Sequence, residues 1–182
     1  MKNVGIVGIG DMGSGLAKNL IKNGFSVIGL DLLEHRKLAF EAMGGQLARD
    51  CAEIGRASDA VFVMVMNGTE AKEIILGENG LVASMEKGGA ILLTATIKPT
   101  EAREIGAAMA GSGIDLIDSP VSGGFPGAQG GSLTLMAAAP ADILAKNRRV
   151  MEAVSKTIHH VGSDAGMGQT VKACLQSLIG SI

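Results

Sequence analysis

The chain has 182 residues, a length that suits one domain and the beginning of another. At 47% hydrophobic and 19% charged it can bury a core, and its composition is far from that of a disordered chain. Its net charge of -2, with no long run of one sign, gives no electrostatic case for nucleic acid, and no apolar run approaches the ~20 residues that a membrane span needs.

Asn3 to Gly8 is a short β-branched run and predicts a buried strand. Met12 to Asn23 predicts a helix, with Leu16, Ala17, Leu20 and Ile21 on one stripe and Gly24 as its stop. Ser26 to Leu30 predicts a strand ending at Asp31, and Glu34 to Met43 a helix closed by Gly44 and Gly45. Ala60 to Val65 carries no polar side chain, the pattern of a strand covered on both faces. A helix over Glu70 to Ile75, a strand over Ala90 to Leu93 and a helix over Thr100 to Ala110, with Pro99 at its start, continue the alternation. Ile114 to Ile117 predicts a strand ending at Asp118. Pro120 to Gly131 then predicts a glycine-rich loop. Beyond it come a strand (Leu133 to Ala137), a helix (Ala141 to Val154), a short strand near Ile158 to Val161 and a helix from Gly168 to Ile182. Strands alternating with helices at short spacing predict an α/β fold, a doubly wound and mostly parallel sheet with helices on both faces.

Gly8-Ile9-Gly10-Asp11-Met12-Gly13 follows a strand and opens a helix. The first glycine permits a sharp turn, the second lets backbone approach a pyrophosphate, and the third lets helix and strand pack closely. The helix N-terminus offers free N–H groups to the phosphates. With a strand, helix and second strand around it, the turn predicts a nicotinamide dinucleotide site. Asp31 ends the second strand, where a carboxylate accepts hydrogen bonds from a ribose and repels a 2′-phosphate. Leu32 and Leu33 follow it, and Arg36 already belongs to the next helix, so NAD is expected over NADP. No ATPase-type phosphate loop is present, and His35, His159 and His160 do not form a metal set. Cys51 and Cys174 make neither a disulfide framework nor a metal spacing, and they read as free thiols of a reducing, cytoplasmic compartment. The first eight residues are too short and glycine-rich for a signal peptide. Tyr and Trp are both absent, which excludes any mechanism needing a catalytic tyrosine.

Two further patterns complete the set. Ser122, Gly123 and Gly124 follow a strand and present a hydroxyl and bare N–H groups, a cradle for a carboxylate. Gln169, Lys172 and Gln176 share one helix face beside an apolar stripe of Val171, Leu175, Leu178, Ile179 and Ile182. A lysine at the edge of an apolar face can have its pKa lowered enough for acid–base work, although a lone helical lysine is usually a solvated charge.

The three motifs together resemble the β-hydroxyacid dehydrogenase family, the relatives of 3-hydroxyisobutyrate dehydrogenase. The resemblance lies in Gly8-x-Gly10-x-Met12-Gly13, in Asp118-Ser119-Pro120-Val121-Ser122-Gly123-Gly124, and in Gly166-x-Gly168-x-x-x-Lys172. It implies a Rossmann-type domain and hydride transfer between a small hydroxy acid and a nicotinamide cofactor. It implies Lys172 as general acid/base and Ser122, Gly123 and Gly124 as holders of the substrate carboxylate. Thr96 matches a family position near the nicotinamide ribose, and Met66 and Asn67 match the wall of the dinucleotide site. The family's asparagine four residues after the lysine is Gln176 here, which resembles the branch that includes L-threonate dehydrogenase and predicts a differently shaped substrate pocket. Ala95-Thr96 replaces a Ser-Thr pair, and Ala138-Ala139 replaces a Gly-Gly pair.

Family members continue through a long helix into an all-helical domain. The resemblance therefore divides this chain into residues 1–163, a dinucleotide-binding domain with its substrate loop, and 164–182, the start of the interdomain helix. On this reading the all-helical domain is expected to be absent. An uncovered apolar stripe there predicts a homo-oligomer through the last helix. The competing expectations are a dinucleotide-binding module without turnover, an imine reductase-like relative, which would usually lack the lysine, and a 6-phosphogluconate dehydrogenase-like relative. The last would carry His-Asn where Leu175-Gln176 stands.

Overall fold

In the computed structural model, which describes residues 3–180, the first apolar run forms β1 (Asn3–Val7), buried from Val4 onward. The chain turns at once into α1 (Asp11–Lys22), with Leu16, Ala17 and Leu20 fully buried and Ile21 packed at the edge of the same cluster. β2 (Ser26–Leu30) and α2 (Glu34–Ala42) follow as the alternation predicts. Hydrophobic pattern does not announce the next two elements. β3 (Gln46–Leu47) is a two-residue strand parallel to β2. α3 (Cys51–Ala57) is capped by Asp50, whose carboxylate accepts the Glu53 N–H at 2.7 Å.

β4 (Ala60–Val63) stops two residues before the expected Val65, where the chain leaves the sheet for α4 (Gly68–Leu76). α5 (Leu81–Ser84) is a single turn that leads to β5 (Ala90–Leu93). α6 (Pro99–Ala108) opens on its proline, and β6 (Asp115–Asp118) follows.

The glycine-rich segment is not the loop that its composition predicts. It folds as β7 (Val121–Ser122) and α7 (Gly124–Gly130), ahead of β8 (Leu133–Ala138). Val121 and Ser122 pair antiparallel with Leu135 and Thr134 of β8, in the same register as the Asp118–Ala138 pair, so β7 extends the edge of β6. α7 is a poor helix by propensity, with three glycines and a proline, and its packing supplies what propensity does not. The backbone of α1 approaches it so closely at Gly15 that a Cβ there would lie 2.6 Å from the Ala128 carbonyl carbon. Asn19, itself buried, donates its amide to the Ala128 carbonyl at 2.9 Å and to Gln129 at 3.3 Å. The chain continues through α8 (Ala141–Val154), β9 (Ser155–Gly162) and α9 (Met167–Ile179).

The strand order is β3-β2-β1-β4-β5-β6-β8-β7, with β9 added to β8. β3 through β6 are parallel, β8 is antiparallel to β6 and β7, and β9 is parallel to β8. The fold is thus α/β, with a mostly parallel sheet. Strand residues alternate between two apolar clusters. Val4, Ile6, Phe62 and Leu92 meet Leu16, Leu20, Val150 and Val154 from α1 and α8. Val61, Val63, Ile91 and Leu93 meet Ile54, Ile75 and Ile105 from α3, α4 and α6. Both faces are covered, which is why β4 and β5 carry no polar side chains. No helix among the described residues is long and apolar enough to cross a membrane.

Asn19→Ala tests the α1–α7 lock. The lost amide leaves the Ala128 and Gln129 carbonyls short of a donor in a part-dry contact, so stability should fall by about 1–3 kcal/mol. Urea unfolding should show a lower midpoint with an unchanged slope.

Candidate functional site

Parallel strands bring their carboxyl ends to one edge of the sheet, and the candidate residues after β1, β2, β4, β5 and β6 all emerge there. The change of direction in strand order falls between β1 and β4, which opens a crevice outside those ends. The glycine-rich turn occupies it. Gly8 has φ +91°, a conformation that favours glycine, and its N–H donates to the Leu30 carbonyl at 2.9 Å. A Cβ at Gly13 would collide with the Gly8 carbonyl, so the third glycine serves close packing of turn and helix, as expected. No side chain caps the N-terminus of α1 at Gly10. Its first N–H groups and positive dipole end therefore fit a pyrophosphate.

Asp31 is 8% exposed and tied to this turn. Its Oδ2 accepts the Ile9 N–H at 2.8 Å, and its Oδ1 accepts the Leu33 N–H at 2.9 Å. The expectation that no arginine lies near it needs correction. Arg36 Nη1 reaches to 3.5 Å from Asp31 Oδ2, and a Cβ on Gly10 would lie 3.4 Å from the same guanidinium. The first turn of α2 carries Arg36 back over the glycine loop, which residue spacing alone does not reveal. Leu32 and Met66, 92% and 85% exposed, are large apolar side chains left open at the strand ends after β2 and β4. Asn67 is the N-cap of α4: its Oδ1 accepts the Glu70 N–H at 2.9 Å. Thr96 is exposed between buried Ala95 and Ile97.

The other side of the site is organised by Asp118, fully buried at the end of β6. α9 has no cap of its own, because its N-cap residue is Gly166. Asp118 caps it from 48 residues away, with Oδ2 accepting the N–H of Gly166 at 2.7 Å and that of Gln169 at 3.3 Å. Its Oδ1 accepts the Gln169 side-chain amide at 2.9 Å. Burial pushes the Asp118 carboxyl above its usual pKa range, against the pull of Gln169 and of the N–H groups of Gly166 and Gly168. Gln169, 1% exposed, also donates to the Ala95 carbonyl at 3.0 Å and accepts the Ile97 N–H at 3.0 Å. Gly168 lets the helix settle on the sheet, since a Cβ there would lie 2.5 Å from the Met136 carbonyl oxygen.

Lys172 follows Gln169 by three residues on α9, half-buried, and burial lowers its pKa from the ordinary lysine value. Gln176, one turn further, is exposed. Ser122 is half-buried at the end of β7, and Gly123 and Gly124 are exposed where α7 begins. The role of Gln169 escapes the sequence reading: its place on the Lys172 face is legible, its partners in the turn after β5 and at the end of β6 are not. His160 is tied to the Ala139 and Gly162 carbonyls, and no metal-binding cluster exists among the described residues.

A doubly wound sheet with an uncapped glycine turn at its switch point and a buried carboxylate after β2 defines the class: a nicotinamide dinucleotide-binding domain. The chain belongs to the family described as the NAD binding domain of 6-phosphogluconate dehydrogenase, which matches residues 3–162. It is 35% identical over 179 residues to L-threonate dehydrogenase of Escherichia coli O6:H1, covering 98% of this chain and 59% of that relative. It is 36% identical over 179 residues to NAD-dependent L-serine dehydrogenase of Pseudomonas aeruginosa, covering 98% and 60%. The crystal structure of 3-hydroxyisobutyrate dehydrogenase from Salmonella typhimurium superposes with a TM-score of 0.93 at 31% identity, over 99% of this chain and 63% of that one. The resemblance to hydroxyacid dehydrogenases is borne out. The chain spans about 60% of the length of the curated relatives it matches.

Proposed function

We propose that this chain supplies the dinucleotide-binding and substrate-clamping part of an NAD-dependent dehydrogenase acting on small hydroxy acids, with Lys172 as general acid/base. The observation that carries the reading is the half-buried Lys172 on a helix fastened to the ends of β5 and β6. In oxidation, the neutral Lys172 amine takes the proton of the substrate hydroxyl as the carbonyl forms. The nicotinamide, when bound, supplies the hydride acceptor. Ser122 and the N–H groups of Gly123 and Gly124 hold the substrate carboxylate, and Gln176 shapes the pocket beyond the amine. Threonate, serine and 3-hydroxyisobutyrate, for which the relatives are named, are all small hydroxy acids.

Gly8, Ile9, Gly10, Asp11, Met12 and Gly13 hold the pyrophosphate, Asp31 the adenosine ribose, Met66 and Asn67 the cofactor wall, and Thr96 the nicotinamide side. NAD is favoured over NADP: a carboxylate at Asp31 would repel a 2′-phosphate, and its ion pair with Arg36 engages the cation that would otherwise meet one. Residues 1–163 serve as the dinucleotide domain and 164–182 as the start of an interdomain helix. Two free cysteines, one half-buried and one exposed, fit a reducing cytoplasm.

α9 exposes Val171, Leu178 and Ile179, and we infer that the 182-residue chain pairs with itself there. Ile182, in the same expected stripe, lies outside the described residues.

In the full-length enzyme, Lys172→Ala should lower kcat by roughly 10²–10⁴-fold while NAD affinity barely changes. Oxidation needs the neutral amine, so its rate should rise with pH and level off above the Lys172 pKa. Burial holds that pKa below 10.5, and the substitution should erase the rising limb. By titration calorimetry NAD should bind more tightly than NADP, and Asp31→Ala should narrow the gap by removing the repulsion and releasing Arg36. Light scattering at ~100 μM should show a dimer that Leu178→Asp returns to monomer, since each covered side chain gains about 1.5–3 kcal/mol from full burial.

A further inference from the structure

The proton-transfer helix and the turn after β5 belong to different parts of the chain, yet one side chain is bonded to both. Gln169 brackets Thr96: its Nε2 donates to the Ala95 carbonyl and its Oε1 accepts the Ile97 N–H, each at 3.0 Å. The same Nε2 donates to Asp118 Oδ1 at 2.9 Å, while Asp118 Oδ2 holds the Gly166 N–H at the start of α9. Gln169 and Asp118 are 1% and 0% exposed, so solvent cannot replace these bonds. The amide is oriented by its neighbours: one side faces a carbonyl and a carboxylate, which need a donor, and the other faces an N–H, which needs an acceptor. Only a neutral amide of this length meets both demands. Lys172 is three residues on, roughly 4.5 Å further along the helix axis.

We propose that Gln169, oriented by Asp118, is the positioning residue of the reaction, fixing the distance between the Lys172 amine and the Thr96 turn. The inference rests on the reading of Lys172 as acid/base. Gln169 touches neither substrate nor cofactor. It acts by holding two elements that do, and a displacement of about 1 Å between reacting groups can cost on the order of 10²-fold in rate. The pyrophosphate turn and Asp31 are not bonded to it and keep their places.

The test uses Gln169→Met, which keeps length and burial and removes both bonding functions, beside Lys172→Ala in the full-length enzyme. The expected result is a fall in kcat of about 10- to 100-fold, an NAD dissociation constant changed less than about threefold, and faster hydrogen exchange at the Ile97 amide. Gln169→Glu, which sets a carboxylate against Asp118 and the Ala95 carbonyl, should lose as much. Adding Asp118→Asn to it reverses the donor and acceptor of that pair and should recover part of kcat, with the Ala95 carbonyl keeping recovery incomplete. An unaltered kcat in a folded Gln169→Met enzyme, with Lys172→Ala inactive, overturns the positioning role and spares the acid/base reading. A Lys172→Ala enzyme at near wild-type rate overturns both. If Gln169→Met does not fold, the Glu and Asn pair decides: no recovery of kcat in the double variant overturns the proposal.

Discussion

A carboxylate without access to water must be met by donors, or it costs the fold more than any single contact around it repays. Asp118 is that group here, and the far half of the site is arranged around its demand. Its donors come from Gly166, Gln169 and the Gln169 side chain, all at the base of α9. A helix that starts with glycine and no cap would fray at this end. The helix needs an acceptor and the carboxylate needs donors, so each removes the other's penalty. The same exchange brings α9 onto β6 and β8, where Gly168 leaves no room for a side chain. The lysine is carried to the sheet edge as a consequence of this capping.

The near half of the site shows the complementary choice. The N-terminus of α1 is left without a side-chain cap, and its turn is held instead by Asp31 accepting the Ile9 N–H and by Gly8 donating to Leu30. One helix end is thus satisfied by a carboxylate of the protein, and the other has no side-chain partner. Arg36 adds a cation beside the open end, restrained by Asp31. The two acidic residues at the ends of their strands differ in exposure: Asp118 is fully buried, and Asp31 keeps a small exposed margin.

The sequence by itself determined the alternation of strands and helices, because both faces of the sheet are covered and apolar runs are the direct imprint of that burial. It also determined the glycine turn after β1, since Gly8 and Gly13 answer to backbone geometry within a few residues of themselves. The cap of α3, Asp50 accepting the Glu53 N–H, is equally local, but the apolar pattern around it is too weak to announce the helix. Tertiary structure alone decided the rest. The segment from Pro120 to Gly131 has the composition of a loop and becomes β7 and α7, because β8 offers a free edge and Asn19 and Gly15 of α1 offer a close, polar seat. Arg36 reaches Asp31 only after α2 folds back over the turn. Gln169 finds Ala95, Ile97 and Asp118 across more than fifty residues of chain. Propensity and periodicity report what a residue does to its own backbone and its own face. A buried amide is specified by groups that become its neighbours only when the sheet is assembled.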